Sequence, residues 1–182
     1  MQFYKEITLK DGRKCILRNG TEKDGQEALD NFILTHEQTD FLMTYPDEIT
    51  FTAEEESNYL KKLSESENEA EILALVDGKV VGTAGISCAG AHWKTRHRAE
   101  FGVSIDRAYW NLGIGRALTK ACIECAAKAG YRQIELEVVT ENTNAYELYK
   151  SEGFVEYGRK PHAFRSRISG WQELILMRME LD

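Results

Sequence analysis

Residues 106–130 read "DRAYWNLGIGRALTKACIECAAKAG". A strand-like run, "RAEFGVSI", feeds directly into this stretch, and Gly113 and Gly115 stand two apart at its centre. Behind them Ala117, Leu118, Ala121, Cys125 and Ala129 occupy adjoining helical positions up to Gly130. A strand, a glycine turn and a helix in that order expose backbone N–H groups at a helix N-terminus. There the donors and the helix dipole favour an anion by roughly 0.3–1 kcal/mol per contact. The same glycines also suit close packing at a helix start, so the stretch alone leaves both uses open.

Two familiar phosphate sites fit it poorly. A Walker A loop needs a Gly-Lys-Ser/Thr ending that is absent, and a dinucleotide fingerprint needs a third small residue where Leu118 stands. What remains is a loop of backbone donors with Arg116 nearby, suited to a pyrophosphate.

The rest of the chain reads as alternating strands and amphipathic helices. A strand at Lys14 to Arg18 precedes "NGTEKDGQEALDNFILTH", in which Thr21 and Asp24 form a capping pair and Ala28, Leu29, Phe32, Ile33 and His36 recur at helical spacing. Thr52 with Glu55 opens a second helix, whose stripe is Tyr59, Leu60 and Leu63. The connector "TDFLMTYPDEITF" is rich in aromatic residues, as substrate-contacting loops often are. "EILALVDGKVVGTAGIS" is two apolar runs joined by Asp77-Gly78, the signature of a tight hairpin. "RQIELEVV" is a further strand, "NTNAYELYKSEG" a short helix stopped by Gly153, and "FVEYGRKP" and "WQELILMRMEL" are two last strands. The order β-α-α-β-β-β-α-β-α-β-β indicates one α/β domain with a mixed sheet, here bounded as residues 5–182.

Composition narrows the function. A net charge of −7 argues against a nucleic-acid partner, which needs clustered Lys and Arg, and suits a cationic or amine substrate. No window approaches the roughly 18 apolar residues of a membrane span, and "MQFYKEITLKDGRK" lacks a signal peptide's apolar run, so a cytoplasmic location without a membrane partner is expected. Cys122 and Cys125 lack the second ligand pair of a metal site; no metal is expected, and they read as small core residues of a helix.

About 27 residues beyond Gly115 stands "NTNAYELYKSEGF". The pair "YWNLGIGRAL … NTNAYELYKSEGF" resembles the two diagnostic segments of the GNAT (Gcn5-related) N-acetyltransferase superfamily, Gln/Arg-x-x-Gly-x-Gly/Ala and Asn-x-x-Ala-x-x-x-Tyr. The resemblance covers nearly the whole chain. It implies that family's fold, a mixed, mostly antiparallel sheet flanked by helices, and acetyl-CoA as cosubstrate. Homodimers are common on this fold, and nothing in the sequence decides the oligomeric state.

Carried over position by position, the resemblance makes Trp110, Asn111, Leu112, Gly113, Ile114, Gly115 and Arg116 the pyrophosphate loop. Trp110 departs from the family's usual Gln or Arg, which puts a side-chain contact there in doubt but not the backbone donors. Val103 and Ile105 would offer backbone groups to the pantetheine arm, and Asn142 would touch the cofactor from the start of the next helix. Tyr149 would lie near the thioester sulfur as general acid.

The implied reaction is transfer of an acetyl group to a primary amine of a small molecule, an amino acid or a peptide N-terminus. A lysine-like amine is neutral in only about 1 part in 2,500 at pH 7, a cost of about 4.6 kcal/mol, so a base is wanted. Glu100, on the strand before the loop, is the candidate, with His92 and His97 in reserve. Two alternatives remain: a transferase of another acyl group, and a non-catalytic module that binds coenzyme A.

Overall fold

The computed structural model describes residues 1–181. Its frame is a single eight-stranded sheet in the order β1-β2-β3-β4-β5-β6-β8-β7, built from β1 (Tyr4–Thr8), β2 (Lys14–Asn19), β3 (Ala70–Val76), β4 (Lys79–Cys88), β5 (Arg98–Ile105), β6 (Gln133–Val139), β7 (Val155–Ser166) and β8 (Gly170–Glu180). Every neighbouring pair is antiparallel except β5 and β6. Four helices flank it: α1 (Gly25–Gln38), α2 (Ala53–Glu65), α3 (Ile114–Lys128) and α4 (Thr143–Ser151). The mixed, mostly antiparallel sheet expected from the sequence is therefore the observed fold.

Alternation along the central strands sorts side chains onto two faces. Ile72, Ala84, Ile86, Ala99, Phe101 and Ile134 are all buried, as are Leu118, Cys122 and Cys125 of α3, and all belong to one continuous core. Burial of a side chain the size of Leu118 contributes about 1.5–3 kcal/mol. All four cysteines are free thiols, and burial pushes the Cys125 thiol up to about 11. The opposite face, which presents Glu71, Thr83 and Ser104, carries α1 and α2: the Thr35 hydroxyl of α1 donates to Ser104 Oγ at 3.3 Å.

Turn chemistry follows the residues. Asp77 and Gly78 both adopt positive φ, 51° and 80°, as a two-residue hairpin of this twist requires. Thr52 caps α2 by accepting from the Glu55 N–H while the Glu55 carboxylate accepts from Thr52 N. The Thr21–Asp24 pair forms the same box, but around a 3-10 turn at Glu22–Asp24 that precedes α1.

Three expectations need correction. The first strand extends to Asn19 and is preceded by β1, an edge strand the sequence did not reveal. The strand beginning at Val155 does not stop at Pro161 but runs to Ser166, with register shifts at Glu156/Gly158 and Lys160/Phe164. Proline is tolerated because β7 is the sheet's edge and the second bulge, with His162 at φ 55°, falls around it.

Candidate active site

The parallel pair β5 and β6 is joined at only three positions, Arg98↔Gln133, Ala99↔Ile134 and Glu100↔Glu135. Beyond Glu100, β5 stays with β4 as far as Ile105, and β6 stays with β8 as far as Val139. The two strands thus splay apart at their C-terminal ends. Arg98, at the first of these rungs, grips Glu135, at the last, through Nε and Nη2, and this guanidinium holds the Glu135 carboxyl below the usual range.

Each splayed strand leads into a helix, and both helix N-termini line the same cleft. After β5, Asn111 at φ 63° and Gly113 at φ 101° curl the chain in the left-handed region, and Gly113 is the N-cap of α3. A Cβ on Gly115 would meet Ile105 and Leu148 at 3.3 Å, so this glycine keeps α3 close to both β5 and α4. After β6, Asn142 caps α4 by accepting from Ala145 N at 3.4 Å. Two sets of helix-terminal N–H groups therefore face one volume, a strong arrangement for an anion.

The cleft has a volume of about 410 Å³. It gathers Val103, Ile105, Trp110, Asn111, Gly113, Gly115, Arg116, Asn142 and Tyr149, the greater part of the residues singled out from the sequence. Leu112 and Ile114 do not line it. Leu112 accepts from Lys10 N at 3.2 Å through its carbonyl, and Ile114 is buried in the core. Thr35, Thr39, Phe41 and Leu42 form the side toward α1; Phe41 and Leu42 belong to the aromatic-rich connector singled out from the sequence, whereas Thr35 and Thr39 carry no sequence signal that they turn inward.

Trp110 has a structural use in place of the usual Gln or Arg. Its indole N–H donates to the Ile105 carbonyl at 2.7 Å, which ties the loop to the end of β5 and already engages that carbonyl. Arg116 reaches α4, donating to Glu152 and, at 3.1 Å, to Ser151 Oγ.

Tyr149 is buried, and its ring meets Phe101 edge-on with centroids 5.9 Å apart. Burial alone raises its phenol above the ordinary tyrosine range, and no hydrogen bond offsets that rise. The hydroxyl is thus a protonated donor held at the cleft. Glu100 follows the opposite geometry: next to Phe101 in sequence, it points to the other face of the sheet, is exposed, and does not line the cleft. His92 and His97 are exposed as well.

A model of the acetyltransferase (GNAT) family matches residues 31–154, more than half of the chain. The chain belongs to the GNAT family.

Among curated relatives, the chain is 32% identical over 122 residues to the N-acetyltransferase MJ1207 of Methanocaldococcus jannaschii, covering 64% of this chain and 49% of that one. It is 32% identical over 108 residues to the L-amino acid N-acetyltransferase AaaT of Escherichia coli, covering 58% and 66%. The chain thus spans about half the length of the first of these relatives. A GNAT acetyltransferase from Streptococcus pneumoniae superposes with a TM-score of 0.86 at 30% identity, covering 92% of this chain and 99% of that one. The fold is shared with yncA from Salmonella typhimurium, solved with acetyl-CoA, at a TM-score of 0.81 and 18% identity over 92% and 94% of the two chains.

Proposed function

We propose that this chain is an acetyl-CoA-dependent N-acetyltransferase that acts on a primary amine of a small molecule, an amino acid or a peptide N-terminus. The observation that carries this reading is the cleft itself: two helix N-termini and a buried, protonated tyrosine converge where β5 and β6 part. Backbone donors of Asn111 to Gly115 and the N-terminus of α4 would hold the pyrophosphate, with Arg116 adding charge. The free edge of β5 near Val103 would run along the pantetheine arm. When bound, acetyl-CoA supplies an acetyl thioester, whose C–S bond breaks as the amine's C–N bond forms.

The chain's own groups handle the protons. Tyr149 gives its proton to the departing sulfur, which a phenol accomplishes only when positioned beforehand. The attacking amine must lose a proton; Glu100, the candidate from sequence, is exposed and off the cleft, which does not suit it to that role. The relative in Escherichia coli is named for L-amino acids, and another, from Mycobacterium tuberculosis, is named as an N-alpha-acetyltransferase. Free amino acids and short peptides are therefore the first acceptors to try.

The test is release of free thiol from acetyl-CoA, measured with a panel of amino acids, amines and peptides and confirmed by mass spectrometry of the product. Amine-dependent thiol release supports transfer. Binding of coenzyme A without any turnover would favour the non-catalytic module, and turnover only with succinyl- or propionyl-CoA would favour another acyl group.

A further inference from the structure

A second cavity, of about 400 Å³, lies on the face that carries α1 and α2. Phe32, Phe51 and Tyr59 form its aromatic walls, and Glu56 and Glu71 bring two carboxylates to it, while Glu55 lines it with its carboxylate held by Thr52. Its acidic lining suits a cation, and its aromatic walls an organic one. Aromatic faces beside carboxylates are the setting in which an ammonium group is held.

The sheet connects this cavity to the cleft. Glu71 of β3, Gly85 of β4 and Gly102 of β5 stand in one cross-strand row. A Cβ on Gly85 would lie 2.3 Å from Glu71 Oε2, so the carboxylate lies across β4 in space that only a glycine leaves. A Cβ on Gly102 would meet nothing within 4 Å, and the row is bare up to β5. In the adjacent row Thr83 lines the cavity while its ladder partner Ser104 lines the cleft. The two volumes are thus lined by neighbouring residues across the β4–β5 ladder, on the same face of the sheet.

Building on the transferase reading, we propose that this cavity holds the ammonium group of the acceptor and that Glu71 takes its proton, which makes the acceptor a small organic primary ammonium. One N–H proton passes to the Glu71 carboxylate, the nitrogen keeps the electron pair and can attack on the β5 side, and Glu71 later returns the proton to solvent. Burial pushes the Glu71 carboxyl up to about 7, with the Thr83 hydroxyl opposing the rise and the charge of Glu56 adding to it. The groups that face it are Glu55, Glu56 and Tyr59 from α2 and Thr83 from β4, while α1 contributes only the uncharged Ala28 and Phe32. A carboxyl that titrates near neutrality can both accept and release the proton.

The experiment titrates the full chain, with and without CoA, with phenethylamine and with its neutral counterpart 2-phenylethanol. At pH 7.5 the wild type is expected to bind the ammonium at least tenfold more tightly. Glu71→Gln should bind both alike, Glu71→Asp should keep the preference, and the exposed Glu54→Gln should behave as wild type. For any amine that is acetylated, Glu71→Gln should lower kcat about 100-fold. Absence of phenethylamine binding, an undiminished preference in Glu71→Gln, or a kcat within threefold of wild type would each overturn the proposal. Glu71-dependent ammonium binding in a protein that ignores acetyl-CoA would instead refute the transferase reading and leave the ammonium site standing.

Discussion

Ser166 donates its hydroxyl to both carboxylate oxygens of Asp40, at 2.8 and 2.6 Å, across 126 positions of sequence. Asp40 also accepts from Ser169 at 2.8 Å and from Tyr45 at 3.1 Å, and Arg167 pairs with Asp47 at 2.7 Å. The loop between α1 and α2 is thereby latched to the turn between β7 and β8. Because Thr39, Phe41 and Leu42 flank Asp40 and line the cleft, the latch also fixes one wall of the site. Burial pushes the Asp40 carboxyl up, but the hydroxyls of Ser166, Ser169 and Tyr45 outweigh it and leave it below the ordinary range. A depressed folded-state pKa stabilises above the unfolded value and loses that contribution as pH falls. Asp40→Asn should therefore cost about 1–2 kcal/mol at pH 7, and its difference from wild type should shrink below about pH 4. Urea unfolding at several pH values checks this.

Arg18 forms two bonds to Asp24, at 2.8 and 2.7 Å, tying β2 to the start of α1. Burial opposes ionisation of Asp24, but Arg18 and Thr21 prevail and bring it down to about 2. With some discount for solvent screening, Asp24→Asn should destabilise by about 1–2 kcal/mol at pH 7. The gap should close as pH falls from about 4 to 2. Thermal melts of the two proteins across that range would show an unchanging gap if the pair contributed nothing.

The fold was legible wherever local chemistry dictates the backbone. Asp77-Gly78, the Thr52–Glu55 box and the strand–glycine–helix unit at Gly113 each stand as the sequence indicated, because turns and caps are decided by a few adjacent residues. The edge strand β1 was not legible: "YKEIT" is almost wholly exposed and lacks apolar alternation, and its pairing with β2 holds it in place. Pro161 suggested a strand end, and only the edge position of β7 and its bulge explain why the strand continues. At the cleft, the family resemblance pointed to the glycine loop and to Tyr149, most of which the fold brings to one volume. Asp40 and Glu71 could not be read from the sequence, since each acquires its role from partners on other elements.

Gly113 at φ 101° is in a conformation costly to any residue with a Cβ, by about 1–2 kcal/mol. Gly113→Ala should therefore weaken acetyl-CoA binding about tenfold. Trp110→Phe, which deletes the donor to the Ile105 carbonyl, should weaken it less, by about fivefold for a hydrogen bond of about 1 kcal/mol. Calorimetric titration of both variants with acetyl-CoA would read these losses, and unaltered affinity in Gly113→Ala would remove the loop from the binding site.

Tyr149→Phe should lower kcat about 100-fold while leaving the Kd for acetyl-CoA unchanged. Because burial raises this phenol, its proton is retained through the ordinary tyrosine range, so the wild-type rate should show no fall below about pH 10 that depends on Tyr149. An unchanged kcat in Tyr149→Phe would take the tyrosine out of the acid role.

The most direct test of the cleft is a thermal melt with acetyl-CoA, CoA, ATP and NAD in parallel. A ligand at 100 times its Kd adds about 2.7 kcal/mol, which in a domain of this size raises Tm by roughly 5–10 °C. Acetyl-CoA and CoA should each produce such a shift, and ATP and NAD should not. A melt that neither acetyl-CoA nor CoA moves would contradict the assignment of the β5–β6 cleft to the coenzyme.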